Sequence, residues 1–218
     1  MNLTSFQRRL ADFHPQRYPL TRSLALYSAA IAVADEKLLD QTIHIGRTHG
    51  LGREKFHEIV LQSYLFLGFP RMLTAAEHLT RLLPAANESF AFRQISQEES
   101  EQWFTNGLQL CRAVYGDGYG RLKEKVEGMA PDVFRWMVIE GYGKVLSRPQ
   151  LGIVDREVAI ISCLIVENRA RQLFSHIRGA VNVGASSDLI RDVIDDLGDA
   201  DGPGYNAARS MFGKLGLV

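Results

Sequence analysis

An all-α fold is what the 218-residue sequence predicts, and three observations predict it. Apolar residues recur at intervals of three and four along most of the chain, which is the helical period. No run alternates apolar and polar residues for long enough to make a strand. Residues suited to helix ends also stand where the periodic stretches begin and stop, as Ser96 with Glu99 and Gly116 do around "SQEESEQWFTNGLQLCRAVYG". With helices alone to build a core, the class follows.

The elements run in order. Helices are expected over 21–33, 37–49, 53–67 and 71–83, the last two parted at "LGFPRM" around Pro70. From Pro84, "PAANESFAFRQISQEES" breaks the periodicity and is rich in small and polar residues, so 84–96 reads as a linker. The next helix begins after Ser96, carries Trp103, Phe104, Leu108, Cys111, Val114 and Tyr115 on its apolar face, and ends at Gly116. Further helices are expected over 131–139, 156–166, 170–183, 187–197 and 204–215. Gly50 and Gly184 each fall where a helix ends and another begins, a place that favours a left-handed glycine cap.

The two halves repeat one another. An offset of 134 carries Arg22 to Arg156, Ala25 to Ala159, Ser28 to Ser162, Ile31 to Ile165, Ile43 to Ile177 and Gly50 to Gly184 without a gap. Beyond it the register slips by one, Pro70 matching Pro203. The expectation is an internal duplication, with one repeat over 1–83, a linker over 84–96 and a second repeat over 97–218, packed as a pseudo-twofold bundle.

Composition narrows the function. Lys and Arg number 25 and so do Asp and Glu, so no basic stripe exists to displace counterions from a phosphate backbone, and no nucleic-acid partner is expected. The longest strongly apolar run, 158–166, is far shorter than the roughly 20 residues a bilayer requires. No membrane partner is expected either. The opening "MNLTSFQRRLADFHPQRYPL" lacks a signal-peptide core, which points to the cytoplasm. Cys111 and Cys163 stand apart without a C-x-x-C, so neither a disulfide framework nor a thiolate zinc cage is expected. The acidic run "RDVIDDLGDADGPG" lacks the order of an EF-hand loop and has no neighbouring histidine, so no metal site is assigned.

The residues able to carry chemistry gather in the second half. His176 lies at the edge of a buried face formed by Leu173, Ile177 and Ala180, where a histidine is either a hydrogen-bonded core residue or a proton-transfer group. Glu157 opens the apolar helix "REVAIISCLIV", where it complements the helix dipole or, held against an apolar wall, can keep a proton. Asp155 reads as the cap of that helix. Arg148, Arg156 and Arg178 are surface ion-pair partners or holders of a carboxylate. Gly179, inside its helix, asks for a close neighbour.

These residues carry a resemblance. "YGKVLSRPQLGIVDREVAIISCLIVENRARQLFSHIRGAVNVGAS" resembles the carboxymuconolactone decarboxylase family over about residues 130–212, with a degenerate copy over 19–80, and His176, Arg178, Gly179, Asn182 and Gly184 fall on its motif positions. The resemblance implies helical repeats that assemble into homo-oligomers. It also offers two chemistries. The AhpD-like thiol peroxidases join a glutamate, a C-x-x-C pair and a histidine; Glu157 and His176 match the first and last, but Arg169 and Gln172 stand at the cysteine positions. The decarboxylase branch uses no cofactor. It implies a small carboxylated lactone or related cyclic acid as substrate, His176 as proton donor, Glu157 tuning or reloading it, and Arg148 and Arg178 holding the anionic substrate's carboxylates. The competing reading is a non-catalytic helical assembly protein, because the first repeat has Ser23 and Thr42 where the second has Glu157 and His176.

Overall fold

Every element in the computed structural model, which describes residues 3–85, 94–198 and 202–217, is helical. Of the expected linker, residues 86–93 lie outside the described residues. The chain opens with α1 (Leu3–Ala11), α2 (Pro19–Val33), α3 (Glu36–Thr48) and α4 (Arg53–Leu82). Then come α5 (Gln97–Tyr115), a 3-10 turn (Gly116–Gly118), α6 (Tyr119–Met129), α7 (Pro131–Trp136) and a π-helical stretch (Met137–Leu146). The last group is α8 (Ile153–Val166), α9 (Ala170–Asn182), α10 (Ser187–Asp196) and α11 (Pro203–Lys214).

The centre is the pair α2 and α8. Residues 23–32 of α2 and 156–165 of α8 are buried around the whole circumference, as helices apolar on every side must be. They pack directly on one another: Ser28 Oγ donates to the Ala159 carbonyl at 2.7 Å, and Thr21 Oγ1 to Asp155 Oδ1 at 2.6 Å. α3 lies on α2 and α9 on α8, burying Leu38 and Ile43 on one side and Leu173 and Ile177 on the other. Helix starts fall at 19 and 153, at 36 and 170, and at 53 and 187, a constant spacing of 134. Left-handed residues follow the same spacing: Ala34 (φ 60°) and Asn168 (φ 53°), Gly50 (φ 91°) and Gly184 (φ 102°).

The two helices expected over 53–67 and 71–83 are the arms of α4, which breaks at Gly68 (φ 77°, ψ 168°) just before Pro70. By length and composition alone α4 is long and apolar enough to cross a membrane. Its Phe56, Ile59, Val60, Ala75 and Leu79 nonetheless belong to the core.

Three expectations change. α1 and α6 are additional helices; α6 packs through a narrow stripe, Tyr119, Leu122 and Val126, and buries none of these residues fully. The helix expected to stop at 139 continues into the π-helical stretch through Leu146, past Gly141 and Gly143. Those glycines do not end it, because Gly143 and Gly107 let α5 approach so closely that a Cβ at either would strike the opposite backbone, at Trp103 and Val138. α8 begins at Ile153 with Gly152 as its N-cap, so Asp155 is not a cap but a partner of Thr21.

Candidate functional site

α8 places Arg156 and Glu157 side by side in its first turns, and the neighbours that bury the apolar residues bury these too; both are 0% exposed. A charge there needs a partner. For Glu157 the partner is His176 on α9, whose Nδ1 lies 2.8 Å from Glu157 Oε2. The imidazole is itself only 6% exposed, and the Phe66 ring of α4 meets it edge-on at 5.5 Å between centroids. Donating Nδ1–H to the carboxylate fixes the ring and leaves Nε2 as the nitrogen free to exchange a proton. Gly179 makes the pairing possible. A Cβ at 179 would sit 2.7 Å from Val114 Cγ1 and 3.1 Å from Glu157 Oε2.

Glu157 Oε1 is buried with no hydrogen-bond partner among the described residues. Around the carboxylate stand Cys111 and Tyr115 of α5 and Tyr142 of the π-helical stretch. Burial, and after it the charge of Glu157, pushes the Cys111 thiol up to about 12. Burial likewise lifts Tyr115 to about 12 and Tyr142 well above its ordinary value, so these groups keep their protons at neutral pH. Sequence reasoning took Cys111 and Tyr115 for packing residues and passed over Tyr142. Nothing local could have linked them to Glu157, since they reach it only through the packing of α5 on α9 and on the π-helical stretch.

The arginines go elsewhere. Arg148 Nε lies 3.0 Å from both carboxylate oxygens of Glu58 and its Nη2 2.9 Å from Oε1. Arg156, expected at the surface, is fully buried; its Nη2 takes the other side of Glu58 at 2.7 Å, with the Leu151 and Arg148 carbonyls and Gln62 as further acceptors. Sequence reasoning missed Glu58. Arg178 lines a cleft of about 220 Å³ between the end of α5, α6 and α9, to which neither His176 nor Glu157 contributes. Two positions along a helix turn about 200°, so His176 and Arg178 face different sides of α9. Glu157 and His176 are therefore brought together, and Arg148 and Arg178 do not join them.

In the other half, Ser23 Oγ donates to the Pro19 carbonyl at 2.7 Å and lies 3.0 Å from His49 Nδ1, while Thr42 Oγ1 donates to the Leu38 carbonyl at 2.8 Å. No acid–imidazole pair forms at these two positions; the pair that this half does hold, His78 Nδ1 with Asp40 Oδ1 at 2.6 Å, lies elsewhere, between α4 and α3. Arg169 and Gln172 are exposed at the start of α9, and Arg169 faces Glu167 at 3.6 Å.

Fold and site together define an all-helical protein with a buried carboxylate–imidazole pair. Over 124 residues the chain is 28% identical to the 4-carboxymuconolactone decarboxylase of Acinetobacter baylyi, covering 54% of this chain and 92% of that one. It is also 21% identical over 163 residues to Peroxisomal protein 2 of Saccharomyces cerevisiae and 24% identical over 138 residues to Peroxisomal protein 2 of Schizosaccharomyces pombe. The matches cover 64% and 62% of this chain, and 58% and 63% of those two proteins, so the chain spans about six tenths of their length. No family model matches the chain.

Proposed function

We propose that the protein is a cofactor-independent lyase that decarboxylates a small carboxylated lactone or related cyclic acid. The observation that carries this reading is the buried 2.8 Å contact between Glu157 and His176, in a chain similar over about half its length to a decarboxylase. In such a reaction the bond to the departing carbon dioxide breaks, and its electron pair moves into the conjugated lactone carbonyl. The resulting dienolate takes a proton at carbon. His176 supplies that proton from Nε2, and Glu157, holding Nδ1–H, keeps the ring oriented. The test is a screen of carboxylated lactones and muconate derivatives with wild type and His176→Ala side by side. The substitution lowers the rate roughly 10² to 10⁴-fold, the usual range for a general acid, and Thr42→Ala leaves it unchanged.

A second reading is a non-catalytic helical assembly protein. The Phe66 ring packed on His176 and the engagement of Arg148 by Glu58 favour it. Equal rates in wild type and His176→Ala for every converted compound would leave this reading standing. An AhpD-like thiol peroxidase comes third, since Arg169 and Gln172 occupy the positions of its cysteines.

We also read the chain as two fused repeats about a pseudo-twofold axis. The shared spacing of helix starts and left-handed caps supports this, as does the bond between Thr21 and Asp155, which are themselves 134 apart; positions that meet their own equivalents lie near a twofold axis. Assembly into homo-oligomers belongs to the same reading. The cytoplasmic placement stands against two relatives named as peroxisomal, and imaging of the tagged protein separates the two.

A further inference from the structure

We infer that the cleft between the end of α5, α6 and the outer side of α9 binds a small organic dianion, at a site distinct from the Glu157–His176 pair. Three cations line it, Arg121 and Lys125 from α6 and Arg178 from α9, and no acidic side chain does. Among the described residues none of the three side chains has an ion-pair or hydrogen-bond partner. This is not the habit of the rest of the helix. On the same α6, Lys123 pairs with Glu127 at 2.7 Å one turn on. Arg121 and Lys125, also one turn apart, form instead a like-charged pair that weakens a helix. In a chain with as many acids as bases, three convergent and unpaired cations are a local imbalance that an anion would relieve.

Two further features specify the ligand. α6 opens at the cleft with Gly118 as its N-cap and no side-chain cap, so the positive end of the helix adds to the field. Val114, Leu122 and Phe174 supply an apolar wall. Guanidinium groups grip planar or tetrahedral oxyanions in pairs, and an ammonium adds a point charge, so the charged end is a phosphate ester or a pair of carboxylates. The wall takes the carbon skeleton. A cleft of about 220 Å³ has room for a small organic acid.

Calorimetric titration of the full-length protein with phenyl phosphate, muconate and inorganic phosphate tests the site without requiring turnover. At least one organic dianion should bind, and more tightly than inorganic phosphate. Arg178→Gln and the double variant Arg121→Gln/Lys125→Gln should each weaken it about tenfold, equivalent to about 1.4 kcal/mol, with the melting temperature retained. Lys123→Gln and His176→Ala should leave binding unchanged. The inference is overturned if neither organic dianion binds at millimolar concentration, or if inorganic phosphate binds as well as they do. Equal weakening by Lys123→Gln and Arg178→Gln, or binding lost in His176→Ala and kept in Arg178→Gln, also overturns it. Binding with the expected pattern but no turnover of any lactone would sink the decarboxylase reading alone.

Discussion

Replacing Glu58 by Gln should be among the most damaging single substitutions in this protein, although Glu58 touches neither His176 nor Glu157. Its carboxylate is 1% exposed and lies between two guanidinium groups, Arg148 and the fully buried Arg156. Glutamine keeps the shape and removes the charge, which leaves the Arg156 cation buried without a counter-ion. Breaking a buried pair from one side costs about 3–5 kcal/mol. Arg156 retains acceptors at Leu151, Arg148 and Gln62, so the low end, about 3 kcal/mol, is expected. For a chain of this length that corresponds to a melting temperature lower by roughly 6–12 °C. Arg148→Gln is the control. The Arg148 side chain is 39% exposed and water screens it, so its loss should cost less than about 1 kcal/mol. The pH dependence has a definite sign. Burial of Glu58 opposes its ionisation, but the hydrogen bonds from Arg148 and Arg156 outweigh burial and hold the carboxyl below its ordinary value of 4.5. Burial pulls the other way on Arg156, disfavouring its cation. An arginine nevertheless keeps its proton wherever proteins fold, so Glu58 sets the titration. A folded value below the unfolded one means that the stabilisation is complete above 4.5 and is lost as pH falls through the folded value. Urea unfolding of the three proteins at neutral pH and through the acid range measures both effects. A Glu58→Gln cost no larger than that of Arg148→Gln, or a gap from wild type that widens on acidification, would refute the reasoning.

Gly179→Ala should destabilise by about 1–3 kcal/mol through overpacking, because the new methyl group meets Val114 and Glu157; unfolding curves like those of wild type would show that α9 can shift freely. The protein should not reduce peroxide with a dithiol reductant. Burial drives the Cys111 and Cys163 thiols up to about 12, leaving no thiolate at neutral pH, and peroxide turnover abolished by Cys163→Ser would contradict this. Light scattering at micromolar concentration should find an oligomer, and a monomer alone would count against homomeric assembly.

What the sequence made legible, and what it did not, divides along one physical line. Helical periodicity reports that a face is buried but not what it is buried against, so α2, α8 and α9 were readable while the partners of their polar residues were not. Glu157 and His176 lie on consecutive helices, and the resemblance drew them together. Glu58 lies 98 positions from Arg156, on the far side of the linker, and burying a charge is costly enough that Arg156 reads as a surface residue and Glu58 draws no notice. One signal could have found it. The offset of 134 that relates Arg156 to Arg22 also relates Glu58 to Asp192 and Gln62 to Asp196. Arg22 binds Asp196 at 2.7 Å and faces Asp192 at 3.5 Å, as Arg156 binds Glu58 and Gln62. On the two-repeat reading, then, each half carries an arginine in its central helix that reaches into the other half, and this scaffold occurs twice. The pair at the candidate site occurs once: the same offset sets Glu157 against Ser23, His176 against Thr42 and Gly179 against Ile45. Where the two halves meet like neighbours, packing accounts for the residues they share; α9 alone also packs on α5, with no comparable contact to α3 among the described residues. Glu157 and Gly179 stand next to α5, beside Cys111 and Val114, and on the lyase reading the pair that Glu157 makes with His176 is chemistry added to the shared scaffold.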